Sequence, residues 1–516
     1  MSHDMSTSPD HSVLRTKPVE DVLAQAGGPD GEGSPGDGGG HGRLKRRLGA
    51  RDLMGFGIGI VIGTGIFTLT GIEAKNHAGP GVVISFAIAG LVSLLAALCY
   101  AELASAVPTA GSAYTYAYAT IGELFAWIIG WDLILEFALG AAVVARGWSG
   151  YLQELFDLPT SLFGETAPVN VGAMAIVVLL GIVAVVGIRE SARLTNILVA
   201  VKVLVCVFVV VVGAFFVKAA NLTPFIPAAK PVPADTSGLQ QPLSQALFGI
   251  EPTAFGLAGV LTAAAVVFFA YTGFEAVANL GEETRRPARD LPLGLLGTLG
   301  VCTLLYVGVS FVITGMVPYG QLNEGAPIAS AFEAVGAGWA AALISVAAVA
   351  GLTSVILVDI VAMGRIGFSM GRDGLIPRSV AAVHPRWGTP WKITIGTVVL
   401  IALLAGFLPL KVLADLVSIG TLFAFVVVSI AVPILRRTKP GLRRPFRVPL
   451  SPVVPALSAL ACLYLMTNLS IETWLRFLVW MLLGFTVYFA YGRRNARLNH
   501  ARESSPDNRR DASVDR

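Results

Sequence analysis

A single lysine lies deep in a long apolar stretch. Lys202 is the only charged residue between positions 194 and 217, and a helical rise of about 1.5 Å per residue places it about 12 Å from the start of that stretch. An ammonium group is costly inside a membrane, so a lysine at such a position is by default functional. It could accept and release a proton. The alternative is that its flexible stem carries the charge back to the nearer surface.

Glycines interrupt another apolar stretch, residues 55–71, which reads GFGIGIVIGTGIFTLTG. Gly63, Thr64 and Gly65 lie near its middle, and glycine is unfavourable in a helix interior. We expect the helix to break there and to expose backbone groups that can bind a ligand. Gly55 and Gly59 also fit the spacing of a small-residue packing surface, which is the alternative for those two positions.

A second stretch, residues 266–284, repeats this arrangement. Gly273 lies near its centre and is followed by the acidic Glu275. Interrupted apolar segments in corresponding positions, here the first and the sixth along the chain, are typical of transporters built from two inverted repeats. In that architecture the free N–H groups at the breaks bind a carboxylate, and the free carbonyls bind an ammonium group.

Two acidic residues form a third polar feature. Asp132 and Glu136 are four apart in an apolar span and therefore share one helix face. They could line a pocket for a substrate side chain, or they could hold their helix to its neighbours through hydrogen bonds. The sequence leaves both interpretations open.

The composition excludes several classes of protein. Hydrophobic residues make up 54% of the 516 residues and charged residues 14%, against about 25% charged in soluble domains. These charges are too few for the surface of a soluble enzyme or of a nucleic-acid binder. The histidines form no close pair and the four cysteines lie in apolar runs, so we expect no metal site, no cofactor and no disulfide framework. We therefore predict that the chain is not an enzyme.

An all-α polytopic membrane protein fits these observations, because several uncharged runs exceed the about 18 residues that indicate a membrane helix. The runs are too long and continuous for the strands of a membrane barrel. We predict twelve helical spans, at residues 53–72, 80–105, 123–146, 169–188, 194–217, 255–281, 292–316, 334–361, 392–408, 413–435, 450–469 and 474–492.

The placement of Lys and Arg predicts the orientation. They are concentrated at the start of the first span and in alternate connections from there on, including 285–289, 365–392 and 436–447. Cytoplasmic loops carry such an excess, so both termini are predicted to be cytoplasmic. We divide the chain into a disordered N-terminal tail (1–50), a transmembrane transporter domain (51–492) and a disordered C-terminal tail (493–516).

Several motifs together resemble the amino acid–polyamine–organocation superfamily and, within it, the bacterial members of the cationic amino acid transporter family. They are Gly63–Phe67, Tyr100–Leu103, Pro108 with Gly111–Tyr114, Gly122–Leu124, Gly130–Glu136, Gly281–Pro287 and Arg289–Pro292. The resemblance extends from about residue 45 to about residue 490. It implies 12 transmembrane helices in a five-plus-five inverted repeat, the LeuT-type fold with broken helices 1 and 6, located in the cell membrane.

The resemblance also implies where a substrate binds. The residues that would bind it are Val61, Ile62, Gly63, Thr64, Gly65, Ile66, Phe269, Ala270 and Thr272. Backbone amides after the first break would hold the carboxylate of an amino acid, and carbonyls before that break and in the sixth helix would hold its ammonium group. Phe269 would close over the bound molecule.

Proton coupling is a further implication of the resemblance. Family members that run on protons have a fifth-helix lysine where sodium-coupled relatives bind sodium, and Lys202 matches that lysine. Thr353 and Ser354 match the hydroxyl pair that would otherwise bind the sodium ion. The implied function is proton-coupled uptake of L-amino acids by alternating access, with protons and the lipid bilayer as partners. An amino acid or polyamine exchanger, and a channel or sensor, are the alternatives.

The expected pocket favours a neutral substrate. Its residues are apolar or weakly polar: Val61, Ile62, Thr272, Leu352 and Ile356. A cationic side chain would need a desolvated acid as its partner, and the candidates are Asp132 and Glu136. We therefore expect neutral L-amino acids of small to medium size, with lysine and arginine as the alternative. The sequence does not indicate an oligomeric state.

Overall fold

The structure is a computed structural model, and it describes residues 48–106, 112–187, 192–231, 238–377 and 379–496. The α-helices of eight or more residues in this part of the chain are α1 (Ala50–Val61), α2 (Val82–Ala106), α3 (Ser112–Thr120), α4 (Glu123–Phe156), α5 (Val171–Val186), α6 (Ala192–Gly213), α7 (Gly256–Val267), α8 (Pro287–Met316), α9 (Pro327–Ala334), α10 (Gly338–Arg372), α11 (Trp391–Phe407), α12 (Leu410–Thr438), α13 (Val453–Thr467) and α14 (Ile471–Val487). The predicted tails lie almost wholly outside the described residues.

Shorter helical pieces and one pair of strands complete the description. The π-helical turns are Gly65–Leu69, Ala74–Ala78 and Tyr488–Gly492; the short α-helices are Thr70–Glu73, Leu243–Leu247 and Arg493–Asn495; the 3-10 segments are Gly79–Gly81, Ala214–Phe216, Ala219–Leu222, Phe268–Tyr271, Phe274–Glu283 and Tyr319–Gln321. Between α6 and α7, β1 (Lys230–Pro231) pairs antiparallel with β2 (Thr253–Ala254).

Each of the twelve predicted spans overlaps helical structure: α1 with the segment after it, α2, α4 to α8, and α10 to α14. The sequence did not predict the short helices α3 and α9. It also ended the third span at residue 146, whereas α4 continues to Phe156. Arg146 looked like the charged edge of a membrane helix. In the structure it is buried and donates from Nε to Glu165 at 2.9 Å. It therefore does not mark the end of the helix at the membrane surface.

Membrane-spanning character is strong in most of these helices. In the described part of the chain, eight helices are long and apolar enough to cross a membrane, and α5, α11 and α13 are shorter apolar helices. Large apolar side chains are exposed on the outer faces of several of them, for example Leu204, Leu403, Leu460 and Leu482. Exposed apolar side chains on several long helices fit contact with lipid.

The helix α4 lies at the centre of the molecule. It packs against α10 and α12 and also contacts α3, α5 and α11, while α2 and α1 pack against α8. Most of its residues are buried, including the charged Glu123, Asp132, Glu136 and Arg146. A helix hydrophobic all round is typical of the core of a membrane bundle. This arrangement brings α4 next to the two interrupted helices described below.

Candidate functional site

A small cavity lies where the two interrupted helical segments meet α4 and α10. It has about 30 Å³ of room for the centres of water molecules, which is enough for about two waters. An amino acid could enter only if the lining residues moved apart. The lining residues are Ile60, Val61, Gly63, Thr64, Gly65, Glu136, Phe137, Gly140, Val144, Phe269, Ala270, Thr272, Gly273, Glu275, Val355 and Asp359.

The first break separates α1 from the helical segment that begins at Gly65. Ile62 has an extended backbone with a ψ of 96°, and the chain bends at Gly63 before the helix resumes. The first N–H groups after such a restart have no acceptor in a preceding turn. A side chain at Gly65 would overlap the backbone of Ala270, so only glycine allows the two breaks to approach this closely.

The second break follows α7 and lies at two consecutive residues. Thr272 is extended, with a ψ of 152°, and Gly273 has a left-handed φ of 94°. Glycine is required at Gly273 because of this φ and because a Cβ would come within 2.5 Å of the side chain of Ile60. Glu275 stabilises the turn by accepting the N–H of Gly273 at 3.0 and 3.1 Å.

One tyrosine connects the two breaks. The hydroxyl of Tyr306, on α8, lies 2.7 Å from the carbonyl oxygen of Val61 and 3.0 Å from that of Ala270. A hydroxyl has one hydrogen and can donate to one of them at a time. These are two of the carbonyls expected to hold an ammonium group. Tyr306 was not predicted from the sequence, although a lone tyrosine in an apolar span is a usable signal.

Three acidic side chains line the cavity. They are Glu136 of α4, Glu275 of the second break and Asp359 of α10, and all three are buried. The carboxyl groups of Glu136 and Glu275 are direct neighbours. Of these three acids, only Glu136 was predicted from the sequence to line the pocket. Asp132, its partner in that prediction, is buried but is not among the lining residues.

Other predicted pocket residues lie just behind the wall of the cavity. Ile62, Ile66, Leu352 and Ile356 are fully buried and do not line it. On α10 the lining residues are Val355 and Asp359 instead. The predicted face of α10 was therefore rotated away from the one that meets the cavity.

Lys202 is buried and lies against the first interrupted helix. Its Nζ donates to the carbonyl oxygen of Gly59 at 2.7 Å, and its stem runs across Gly351, where a Cβ would come within 2.9 Å of it. The side chain is 1% exposed, so it does not reach the surface. The hydroxyl groups of Thr353 and Ser354 donate to Val349 and Gly351 within α10.

The sequence was compared with known families and proteins. Residues 48–488 match the amino acid permease family. The chain belongs to this family. The permease is 44% identical to the branched-chain amino acid permease BcaP of Bacillus subtilis over 95% of its own length and 99% of that protein. It is 42% identical to the methylthioribose transporter of the same bacterium, with the same coverage.

A plant relative is similar as well. The permease is 38% identical to the vacuolar cationic amino acid transporter 4 of Arabidopsis thaliana, over 83% of its own length and 68% of that protein. The names of these relatives describe transporters, not enzymes. The chain is thus a multi-pass membrane protein of a transporter family, which agrees with its long apolar helices.

Proposed function

We propose that this permease takes up L-amino acids together with protons, by alternating access to the cavity between the two breaks. The observation that supports this most is the meeting of backbone groups from both breaks at one buried cavity. An α-amino acid presents a carboxylate and an ammonium group to any site. Backbone N–H groups on one side and carbonyls on the other complement both charges without an ionised side chain.

The carboxylate is proposed to bind the amides of Thr64 and Gly65, with Ile66 next to them. The ammonium group is proposed to bind the carbonyls of Val61, Phe269, Ala270 and Thr272. The position of Tyr306 supports this assignment, because its hydroxyl lies within hydrogen-bond distance of two of these carbonyls and can donate to one of them at a time. An incoming ammonium group would take its place at one or both of them.

The proposed architecture has twelve membrane crossings in a five-plus-five inverted repeat. In such a repeat, the second, third and fourth helices correspond to the seventh, eighth and ninth. The helices in question pack against each other in pairs: α2 with α8, α4 with α10, and α5 with α11. This pairing and the breaks in the first and sixth helices support the two-fold arrangement.

Lys202 is proposed as the proton carrier. Its bond to the carbonyl of Gly59 joins it to α1, one turn before the first break. Loss of the proton would remove a charge from this bond and weaken the contact between α6 and α1. Thr353 and Ser354 are proposed to stand where a sodium ion binds in sodium-coupled relatives of the fold.

Neutral L-amino acids of small to medium size are the proposed substrates. Val61, Phe137, Val144 and Val355 give the cavity an apolar wall, and apolar pockets favour apolar side chains. The likeness to a branched-chain amino acid permease supports the same class. Cationic amino acids are the second candidate, because Glu136, Glu275 and Asp359 also line the cavity and a cationic amino acid transporter is among the relatives.

Competition in proteoliposomes separates the two candidates. Purified permease should take up labelled valine, and excess leucine, alanine or serine should inhibit this uptake more strongly than arginine. If arginine or lysine is the stronger competitor and Glu136→Gln removes the preference, the substrates are cationic. A polyamine that exchanges for internal amino acid without a proton gradient would indicate the exchanger.

Location in the cell membrane, with both termini in the cytoplasm, completes the proposal. A reporter enzyme that is active only outside the cytoplasm should be inactive when it is fused after residue 497. The same reporter inserted in the connection between α6 and α7 should be active. The opposite pair of results would reverse the proposed orientation.

A further inference from the structure

Asp132 is a buried acid that the proposed binding of substrate does not use. Its side chain is fully buried, and neither carboxylate oxygen has a hydrogen-bond partner among the residues that the structure describes. A Cβ on Gly420 of α12 would lie 2.8 Å from its Oδ1, so the glycine makes room for the carboxyl group. A charged carboxylate without donors is strongly unfavourable in such an environment. The group must therefore hold a proton or contact water.

Tyr100 of α2 provides a second unpartnered group nearby. Its hydroxyl is buried and has no hydrogen-bond partner in the described part of the chain. Its ring packs edge-on against Phe274, the chain neighbour of Glu275, at 5.8 Å between centroids, and against Phe425 of α12 at 5.5 Å. Glu275 lines the cavity, and α12 carries the glycine that makes room for Asp132. Tyr100 therefore lies between the cavity wall and the helix against which Asp132 packs.

A purely structural acid in this fold looks different. Glu102, also fully buried, accepts the Nε of Arg436 at 2.8 Å and its Nη2 at 2.6 Å, and it accepts the N–H of Val448 at 2.7 Å. These bonds fix the inner ends of α2 and α12 to each other. Asp132 makes no such bonds to the described residues, so a role in fixing α4 to its neighbours does not explain why this acid is buried.

We propose that Tyr100 and Asp132 form a proton-exchange path that leads out of the cavity along α4. An O–H bond of Glu136 or Glu275 breaks as its proton passes through intervening water to the oxygen of Tyr100. The hydroxyl proton of Tyr100 then passes through water to the carboxylate of Asp132, which has first released its own proton, so the tyrosine ends as it began. Asp132 is one helical turn nearer the start of α4, which is its cytoplasmic end in the proposed topology. The inference thus rests on the proposed function.

Paired measurements in proteoliposomes test this path. A pH-sensitive dye inside the vesicles reports protons that enter with valine, and counterflow of labelled valine reports binding and reorientation without net proton movement. Asp132→Asn removes the exchangeable acid with almost no change of shape, and Tyr100→Phe removes only the hydroxyl. We expect each to slow proton entry at least tenfold while counterflow stays within twofold of the unmodified permease.

Two control variants sharpen the result. Ser93→Ala removes another buried hydroxyl of α2 that has no hydrogen-bond partner within the described ranges, and it should change neither measurement. Asp132→Glu keeps an acid and should retain most of the proton entry. If Asp132→Asn does not fold, Tyr100→Phe and Asp132→Glu still decide the matter.

The possible outcomes separate this inference from the proposed function. If the unmodified permease moves no protons with valine, the proposed coupling and the path fail together. If it does and Asp132→Asn and Tyr100→Phe move protons at the normal rate, the path alone is wrong. Equal losses of proton entry and counterflow in both variants would show that the two residues stabilise the fold or the binding site instead.

Discussion

The two helix breaks meet at one cavity, yet they are built differently. The first is short: α1 ends at Val61 and the helix resumes at Gly65, so it contributes mainly backbone groups. The second is less regular, because 3-10 segments lie on both sides of Thr272 and Gly273. It adds the ring of Phe269 and the carboxyl of Glu275 to the cavity.

This difference separates two tasks. Backbone groups at a tightly packed break are fixed in position and fit the part that all α-amino acids share. Side chains at a less regular break can differ between relatives and can move when substrate enters. Substitutions at the first break should therefore affect every substrate, whereas those at the second should change how well a particular substrate is enclosed.

Loss of the glycine at the first break should have the largest effect. Gly65→Val places a branched side chain against the backbone of Ala270, with the amide nitrogen 3.1 Å from the new Cβ. Such overpacking costs about 2–3 kcal/mol, and we expect binding of labelled valine to fall by about 30- to 150-fold or more. Equilibrium binding to purified protein measures this.

Gly63→Ala is the matched control. The nearest atoms to a Cβ at Gly63 are 3.9 Å away, so this variant should bind valine within about fivefold of the unmodified protein, since ordinary contact costs little. Gel filtration and thermal unfolding confirm that both variants fold. Equal losses in the two variants would mean that the site does not depend on the close approach at Gly65.

The contact between the breaks should matter next. Tyr306→Phe removes the hydroxyl that lies on the carbonyls of Val61 and Ala270, and a lost hydrogen bond of this kind is worth about 1 kcal/mol. We expect the KM for uptake to fall by about fivefold, because the ammonium group no longer has to displace the hydroxyl. Tyr271→Phe is the control, because its hydroxyl donates to Phe86 of α2 at 2.8 Å and not to a break carbonyl. If both variants change KM alike, the bridge at Tyr306 has no special role.

The smallest effect is expected at the second break. Phe269→Leu shortens the side chain proposed to cover the substrate, and KM for valine should rise by about threefold, as for the loss of part of an apolar contact. Phe268→Leu alters the adjacent ring, which packs on Phe425 at 5.7 Å between centroids and does not line the cavity. That control should lower the unfolding temperature without changing KM.

The sequence predicted those features that depend on one residue and its immediate neighbours in the chain. Gly63, Gly65 and Gly273 indicated breaks because glycine is unfavourable in a helix, and the structure interrupts both helices there. The charge of Lys202 inside an apolar stretch likewise predicted a special position, and the residue is buried beside the first break.

The cavity wall could not be predicted in the same way, because it depends on which neighbour each helix face meets. Asp132 and Glu136 share one face of α4, but only Glu136 lines the cavity. A helix that is buried on all sides gives no periodic signal that separates these positions. Asp359 and Tyr306 reach the site from helices far away in the chain, and a single sequence does not record those contacts.

Gradient-driven uptake tests the central claim most directly. Proteoliposomes with a proton gradient directed inward should accumulate labelled valine above its outside concentration when they contain the unmodified permease. Vesicles with Lys202→Ala should fill only to equilibrium, while counterflow of valine continues, because the cavity remains and the proton carrier is lost. Accumulation by Lys202→Ala with a normal pH dependence, or none by the unmodified permease, would contradict the account.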